Sequence, residues 1–255
     1  MSTDAKQERS IKTSGTIFDI IEFIKESGPV TGSEVAEHVD LATSTAYDHL
    51  STLERIGYLV CDDKRYKLSL KFLNLGMTVL EDIPLVQVSD DVVERLARET
   101  KELAWLVVEE NGWVVYVGMA EGENAVTTRA QLGARAHLHY PAAGKAILAH
   151  LSRERVEAII DQHGLPKQTK YTITEPNTLF NKLEEIRERG YAFNESEEVR
   201  GVTAIGAPII REGKVIGSIS VSGPANRLKK PAEREQIIEK VLSATNEIEL
   251  KMDYH

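Results

Sequence analysis

Three serines at alternate positions, Ser218, Ser220 and Ser222, are the first residues whose types and spacing suggest a chemical role. Alternate residues of a strand lie on one face of the sheet, so the segment 215–221 predicts a strand with a row of hydroxyls on one side. A hydroxyl both donates and accepts hydrogen bonds. Such a row is therefore either a solvated face or the polar floor of a ligand-binding cup, and the residues alone leave both interpretations open.

Other reactive side chains do not form a recognisable catalytic or metal-binding pattern. His137 and His139 would share one strand face, but two histidines without a third ligand at a suitable spacing are a weak zinc signal. Lys145 is not part of a Ser-x-x-Lys motif, and no Gly-x-Ser-x-Gly, phosphate-loop or dinucleotide-binding motif is present. The acidic run 195–198 is typical of a solvated loop. We therefore expect no catalytic residue, no metal and no cofactor, and predict that the protein is not an enzyme.

The first 80 residues predict a small helical domain that ends in a β-ribbon. Isoleucines at helical spacing predict a helix from residue 11 that stops at Ser27-Gly28-Pro29. Thr31 and Glu34 have the spacing of a capping box, which begins a short second helix. A third helix is expected over 43–56. Alternating residues at 57–61 and 65–69, joined by residues 62–64, predict two short strands.

The third helix and the ribbon have the composition of a DNA-binding winged helix-turn-helix. Ala46, Leu50 and Leu53 form the apolar face of the helix. Lys64, Arg65 and Lys67 place three cations at or near the tip of the ribbon, where contacts with phosphates are expected. The ten residues predicted to contact DNA are Thr31, Thr43, Ser44, Thr45, Tyr47, His49, Ser51, Lys64, Arg65 and Lys67. The alternative is an ordinary small helical bundle.

The overall charge does not favour general nucleic-acid binding. The net charge is −9, and residues 1–80 contain nine Lys and Arg against twelve Asp and Glu, a net of −3. Because affinity for duplex DNA comes largely from neutralised phosphates, DNA binding would depend on the local basic patch. The acidic balance supports one alternative, a small-molecule sensor whose helical domain contacts other proteins instead of DNA.

The bulk composition suggests a cytoplasmic protein of two domains. A length of 255 residues suits two modest domains. The one cysteine, Cys61, excludes an internal disulfide and favours a reducing compartment. Residues 1–10 are polar and predict a flexible tail, with no apolar segment of a signal peptide, and no apolar run has the length of a membrane span. We expect no membrane contact.

The remaining residues predict a further helix, which from its pattern alone could be an ordinary core helix, and an α+β domain. Residues 68–81 have a helical stripe of Leu70, Leu73, Met77 and Leu80, which ends before Pro84. A helix over 85–101 precedes strands that are joined at Asn111-Gly112, a strong hairpin signal, and a second hairpin turns at Glu212-Gly213. Further helices are expected over 141–151, 152–163, 177–189 and 232–252.

Two segments, together with the predicted winged helix-turn-helix, resemble the IclR family of transcription regulators. The first is LGARAHLHYPAAGKAILA at 132–149. The second, within 188–228, contains in order Arg-Gly-Tyr, a cluster of glutamates, Gly-Val, Ala-Pro and Ser-Gly-Pro. The resemblance implies an α+β protein with a winged helix-turn-helix at 11–68, a linker helix at 69–83 and a GAF- or profilin-like effector domain at 84–255. It also implies a regulator, usually a repressor, which binds a palindromic operator as a homodimer or a dimer of dimers.

The resemblance further implies a site for a small polar effector, such as a carboxylate. Small residues at 142–144 begin a predicted helix. The backbone amides at such a helix N-terminus suit an anion. Alternatively, the small side chains simply permit close packing of the helix on the sheet. Two positions depart from the family. Asn194 stands where the family commonly has an acidic residue, and Ala204 stands where some members have a cysteine. The residues assigned to the site by the resemblance are Ala125, Thr128, Ala142, Ala143, Asn194, Val202, Ala204, Ser220 and Ser222.

Overall fold

The chain forms two compact units in a computed structural model that describes residues 12–126 and 131–254. The first unit extends to Val79 and the second begins at Leu80. The tail predicted at 1–10 and the effector residue Thr128 lie outside the described residues. Within the described ranges, no helix is both long and apolar enough to cross a membrane.

The first unit includes most of the helix Lys71–Glu81, and its core is a three-helix domain with a three-stranded sheet. Its elements in chain order are α1 (Lys12–Ser27), β1 (Val30–Thr31), α2 (Gly32–His38), α3 (Thr43–Arg55), β2 (Leu59–Asp62) and β3 (Arg65–Leu68). The predicted capping box forms, because Thr31 and Glu34 exchange side-chain and backbone hydrogen bonds at the start of α2. Ala46, Leu50 and Leu53 of α3 are buried in a common core with α1 and α2.

The ribbon β2–β3 is a tight antiparallel hairpin. Asp63 and Lys64 form its two-residue turn with positive φ angles of 46° and 62°, the geometry that matches the twist of the strands. Asp62, predicted in the turn, is instead the last residue of β2 and pairs with Arg65. The short strand β1 pairs with the other edge of β3, so the ribbon is attached to the helices.

Helix α4 (Lys71–Glu81) begins three residues later than predicted. Leu68 is still paired with Leu59 in the ribbon, and the Ser69 hydroxyl bonds to the Gly57 carbonyl at 2.6 Å. Lys71 then donates to the Ile56 carbonyl at 3.0 Å. Competition from these ribbon bonds, which no local periodicity reveals, delays the start of the helix.

The second unit is a six-stranded antiparallel sheet covered by helices on both faces. The strand order is β6-β5-β4-β9-β8-β7. Its strands are β4 (Leu103–Glu110), β5 (Trp113–Glu121), β6 (Arg135–His137), β7 (Ala192–Glu195), β8 (Val202–Arg211) and β9 (Lys214–Pro224). Its helices are α5 (Pro84–Thr100), α6 (Ala142–Leu148), α7 (Arg153–His163), α8 (Pro176–Arg189), α9 (Ala225–Leu228) and α10 (Pro231–Tyr254).

Alternation along the strands divides the sheet into two buried faces. Ile219 and Val221 of β9 pack with α5 and α10 on one face. Trp105 of β4 belongs to the other face, with α6, α7 and α8. Both predicted hairpins form, with positive φ at Asn111 and Gly112 and at Glu212 and Gly213. The mixed architecture confirms the predicted α+β fold class.

Candidate functional site

A cavity of about 290 Å³ lies between the sheet and the beginning of α6, on the face opposite α5 and α10. Ligand cavities commonly have volumes of about 300–1,000 Å³, so this one suits a small metabolite. Its lining residues come from segments spread between positions 105 and 222: Trp105, Tyr116, Ala134, Arg135, Ala136, Tyr140, Pro141, Ala142, Ala143, Gln168, Asn194, Glu198, Val199, Val202, Ala204, Ser220 and Ser222.

The floor of the cavity is built from residues in register on neighbouring strands. Ser222 pairs with Ala204, and Ala204 pairs with Asn194, so one row crosses β9, β8 and β7. Ser220 pairs with Trp105 on β4. Ser220 and Ser222 are 5% and 8% exposed, which favours the interpretation of the serine row as a cavity floor and not a solvated face. The Ser222 hydroxyl has no hydrogen-bond partner among the described residues.

The opposite wall of the cavity is the first turn of α6. A glycine on β8 allows this close approach, because a Cβ atom on Gly206 would lie 2.8 Å from the Ala143 nitrogen. Every residue of α6 is buried. The helix has seven residues and ends at Leu148, before the predicted end at residue 151.

Glu198 supplies a carboxylate to the cavity. The Tyr116 hydroxyl donates to Glu198 Oε1 at 3.2 Å, and Asn194 Nδ2 donates to Glu198 Oε2 at 3.3 Å. Burial raises the pKa of the Glu198 carboxyl, while the bond from Tyr116 and the charge of Lys145 oppose that change. Burial, and then the neighbouring Glu198 charge, raises the pKa of Tyr116 well above its usual value, so the phenol remains a donor.

The adjacent Glu197 is buried and paired with a buried lysine. The ammonium of Lys145, which is 1% exposed, donates to Glu197 Oε1. Burial lowers the pKa of Lys145 and raises the pKa of Glu197, and the ion pair opposes both changes. The hydroxyls of Thr169 and Thr172 donate to the carbonyls of Ser196 and Glu197 at 2.7 and 2.6 Å. These bonds fix the loop that presents Glu198.

Seven of the nine residues assigned to the effector site by resemblance line this cavity: Ala142, Ala143, Asn194, Val202, Ala204, Ser220 and Ser222. Ala125 is not among the lining residues and packs instead against the core on the α6 side of the sheet, and Thr128 lies outside the described residues. Four further lining residues were not predicted from the sequence: Trp105, Tyr116, Tyr140 and Glu198. Strand pairing brings Trp105 and Tyr116 to the cavity, and the loop between β7 and β8 brings Glu198 there. No local sequence signal identifies these residues.

The residues of α3 assigned to DNA contact lie on its outer side. Thr43, Ser44, Thr45 and Ser51 are exposed and His49 is partly buried. Tyr47 is 41% exposed. Its ring also lies against Gly32 at the start of α2, where an added Cβ would lie 2.6 Å from Tyr47 Cε1. Tyr47 therefore also packs α3 against α2.

Two of the remaining assigned residues already have partners within the first unit. Thr31 is half-buried and its hydroxyl is engaged in the capping box with Glu34. Arg65 donates to the Pro29 carbonyl at 2.8 Å and lies 3.6 Å from Glu34. Lys64 and Lys67 are exposed at the ribbon. These two lysines are the cations of the ribbon without an ion pair among the described residues.

The two histidines considered as metal ligands have other surroundings. His139 is 2% exposed, and one of its ring nitrogens lies 3.1 Å from the Pro166 carbonyl oxygen. Burial lowers the pKa of His139 to about 4. The His137 ring lies 4.5 Å from the ring of Trp113. In residues 12–126 and 131–254, no group of three potential metal ligands is found.

Both units match a known family. Residues 17–63 match the IclR helix-turn-helix domain, and residues 77–250 match the bacterial transcriptional regulator IclR C-terminal domain. The chain belongs to the IclR family. This confirms the resemblance drawn from residues 132–149 and 188–228 and identifies the protein as a DNA-binding transcription regulator. IclR-family proteins are regulators, not enzymes.

Individual IclR-family proteins resemble the chain over most of its length. A probable HTH-type transcriptional regulator ArcR from Halobacterium salinarum is 32% identical over 92% of this chain and 91% of its own. The crystal structure of Thermotoga maritima IclR has 30% identity, covers 95% of this chain and 99% of its own, and superposes with a TM-score of 0.81. An IclR homologue from Microbacterium hydrocarbonoxydans, complexed with 4-hydroxybenzoate, shares the fold with a TM-score of 0.79 at 24% identity and covers 94% of this chain and 100% of its own.

Removing the buried lysine should strongly destabilise the effector domain. Lys145→Met leaves Glu197 buried without its cation, so we expect a loss of about 3–5 kcal/mol in the free energy of unfolding. The double variant Lys145→Met/Glu197→Leu should recover much of that loss. Urea unfolding can be followed by tryptophan fluorescence, which reports this unit alone because both tryptophans, Trp105 and Trp113, lie in it.

The matched control for this prediction is Lys182→Met, which breaks an exposed pair with Glu185. It should change the free energy of unfolding by less than about 1 kcal/mol. A loss of that small size for Lys145→Met would contradict the role of the buried pair.

Proposed function

We propose that this IclR-family protein is a repressor whose affinity for a palindromic operator is changed by a small polar metabolite bound in the cavity of the second unit. The observation that supports the effector role is the convergence of buried polar groups on one cavity, above all Ser220, Ser222 and Asn194. A metabolite with higher affinity for one state of the protein shifts the affinity for DNA by the same factor.

We assign the DNA contacts to the outer side of α3 and to the ribbon. The hydroxyls of Thr43, Ser44, Thr45 and Ser51 suit base edges and phosphates in the major groove. Lys64 and Lys67 extend from the ribbon and suit phosphates. Thr31 and Arg65 have intramolecular partners, so we assign them a weaker or an indirect contribution. Tyr47 and His49 complete the surface.

We assign the ligand contacts to the cavity floor and to the first turn of α6. Ser220 and Ser222 offer hydroxyls, Val202 and Ala204 offer apolar contact, and Ala142 and Ala143 limit the size of the ligand. The Asn194 amide keeps one N–H for a ligand, because its oxygen accepts from the Glu197 amide and its other N–H is directed to Glu198. A family member complexed with 4-hydroxybenzoate supports the proposal that the ligand is a small molecule.

We further propose that α4 is the contact between copies of the chain. Its apolar stripe is solvent-exposed, with Leu73 and Met77 exposed by 60% and 44%, and Leu70, directly before the helix, is exposed by 83%. No residue of α4 is buried. Large exposed apolar patches commonly mark protein interfaces, and a two-fold dimer matches the symmetry of a palindromic operator.

Lys64→Gln and Lys67→Gln should each weaken DNA binding and reduce its salt dependence. Each neutralised phosphate contributes about −0.9 to the slope of log affinity against log salt concentration, so each variant should lose up to about one unit of slope. The assay is fluorescence anisotropy, over a range of salt concentrations, on the DNA upstream of the protein's own gene. Lys182→Gln, in α8, removes the same charge elsewhere and should leave the slope unchanged; equal slopes for all four proteins would contradict the assignment.

Charges placed on α4 should dissociate the oligomer. The double variant Leu73→Glu/Met77→Glu puts like charges into an interface that we expect to be apolar, so the molar mass measured by light scattering should fall to that of one chain. Leu250→Glu changes a residue of α10 with similar exposure, 59%, and should leave the mass unchanged. An unchanged mass in the α4 variant, together with native circular dichroism, would exclude this helix as the contact.

Loss of the two cavity serines should weaken metabolite binding. A screen of metabolites by thermal shift identifies a binder, whose affinity is then measured by calorimetry. Each hydrogen bond contributes about 0.5–1.5 kcal/mol, so Ser220→Ala/Ser222→Ala should reduce affinity roughly 5- to 150-fold. Ser218→Ala is the matched control, because Ser218 belongs to the same row but its hydroxyl donates to the Ala207 carbonyl at 2.7 Å. Equal losses in both variants would argue against a ligand on the serine floor.

A further inference from the structure

Glu198 differs from the other charged groups around the cavity in its partners. Its carboxylate lines the cavity and accepts from two neutral donors, the Tyr116 hydroxyl and the Asn194 amide. Both distances, 3.2 and 3.3 Å, are long for hydrogen bonds. An ionised carboxylate has about four acceptor positions, so the two bonds leave part of its capacity unused.

Two cations near Glu198 or at the cavity lining, Lys145 and Arg135, are paired with other carboxylates. Lys145 donates to Glu197, the residue before Glu198. Arg135 lines the cavity, and its guanidinium donates to Glu110 Oε2 at 2.7 Å. Within the described ranges, Glu198 forms no salt bridge, whereas both of these cations do.

The loop that presents Glu198 is held in one position. The Glu197 amide donates to Asn194 Oδ1 at 2.8 Å, and Asn194 is 1% exposed. The Lys145 pair and the two threonine hydroxyls secure the same loop from outside the cavity. The backbone that carries Glu198 is therefore held beside the cavity, and the bonds from Tyr116 and Asn194 hold the carboxylate at the cavity lining.

We propose that Glu198 is the specificity-determining residue of the cavity, and that the effector is a small metabolite with a hydroxyl or ammonium group that donates a hydrogen bond to it. A ligand that has only acceptors, such as a simple carboxylate, would place its lone pairs against those of Glu198, and no hydrogen bond could form between the two groups. Sites built to bind a donor reject analogues that lack it much more strongly than apolar pockets reject a missing methylene. This inference rests on the effector function proposed above.

The test uses metabolites in matched pairs that differ by one donor. Three such pairs are lactate with pyruvate, malate with succinate, and aspartate with succinate. Erythritol is added as a neutral polyol. These compounds belong to a larger library of metabolites chosen in the same matched pairs. Binding to the full-length protein is measured by thermal shift and calorimetry. We expect the donor-bearing member of a binding pair to bind at least roughly ten-fold more tightly.

Glu198→Gln then separates the two kinds of donor. Glutamine keeps the shape and one acceptor oxygen but loses the charge, so an ammonium ligand should lose roughly 10- to 100-fold in affinity and a hydroxyl ligand less. Glu195→Gln is the matched control, because Glu195 lies on the same segment but pairs with Arg234 and does not line the cavity. Glu198→Asp, which withdraws the carboxylate by one methylene, provides a second variant if the glutamine protein is unstable.

The outcomes distinguish this inference from the effector function. If acceptor-only carboxylates bind as well as their partners, and Glu198→Gln binds them unchanged, the inference is overturned while the effector function stands. If no compound in the library binds the wild-type protein, the effector function fails and the inference fails with it. Donor-dependent binding that Glu198→Gln weakens and Glu195→Gln does not would support both.

Discussion

The hydrogen-bonded register of the central strands β4, β9 and β8 is the constraint on which the candidate site depends. Trp105 faces Ser220, and Ser222 faces Ala204, because the two ladders fix these pairs. A slip of one residue in β9 would move Ile219 and Val221 to the cavity side and the serines into the core. The aliphatic core on the α5 and α10 face therefore also determines where the hydroxyls lie, since those two residues are fully buried there.

Small residues determine how closely α6 approaches the sheet beside the cavity. Helix α6 can approach β8 because position 206 is a glycine, and the Ala142 and Ala143 side chains are small. The serine floor and the alanine wall both line the cavity, together with Trp105 and Tyr116. Only a compact ligand fits between them, which is consistent with the volume of about 290 Å³.

Local signals accounted for much of the fold. The capping box at Thr31, the hairpin at Asn111-Gly112 and the end of α8 at Gly190 depend on neighbouring residues alone, and each formed as predicted. The late start of α4 was not predictable, because it depends on bonds from Ser69 and Lys71 to residues more than ten positions earlier. Hydrophobic periodicity identifies the interior of a helix or strand. It gives little information about long-range hydrogen bonds that change where the element begins or ends.

Only those residues of the candidate site that belong to a recognisable sequence motif could be predicted. Ser220 and Ser222 were recognisable by spacing, but their burial required knowledge of what covers the strand. Glu198 was hidden in an acidic run that suggested a solvated loop, and its environment depends on Tyr116, which is 82 residues away. The net charge of −9 was equally uninformative about DNA binding, because the exposed lysines of the ribbon are local to one turn and one strand.

The adjacent residues Glu197 and Glu198 give one loop two carboxylates with different surroundings, one paired with Lys145 and one at the cavity lining. Burying a carboxylate is costly unless a cation or several donors compensate for lost water. Glu197 has its cation in Lys145, while Glu198 has only two long bonds from neutral groups. A donor from the effector would supply the missing interaction. The bound ligand would then be joined to a loop held mainly by side-chain bonds, whereas the strands and α6 are fixed by backbone ladders and close packing. A regulator requires a ligand that favours one of two states, and a hydrogen bond from the ligand to Glu198 would favour the state in which Lys145, Thr169 and Thr172 hold this loop as they do here.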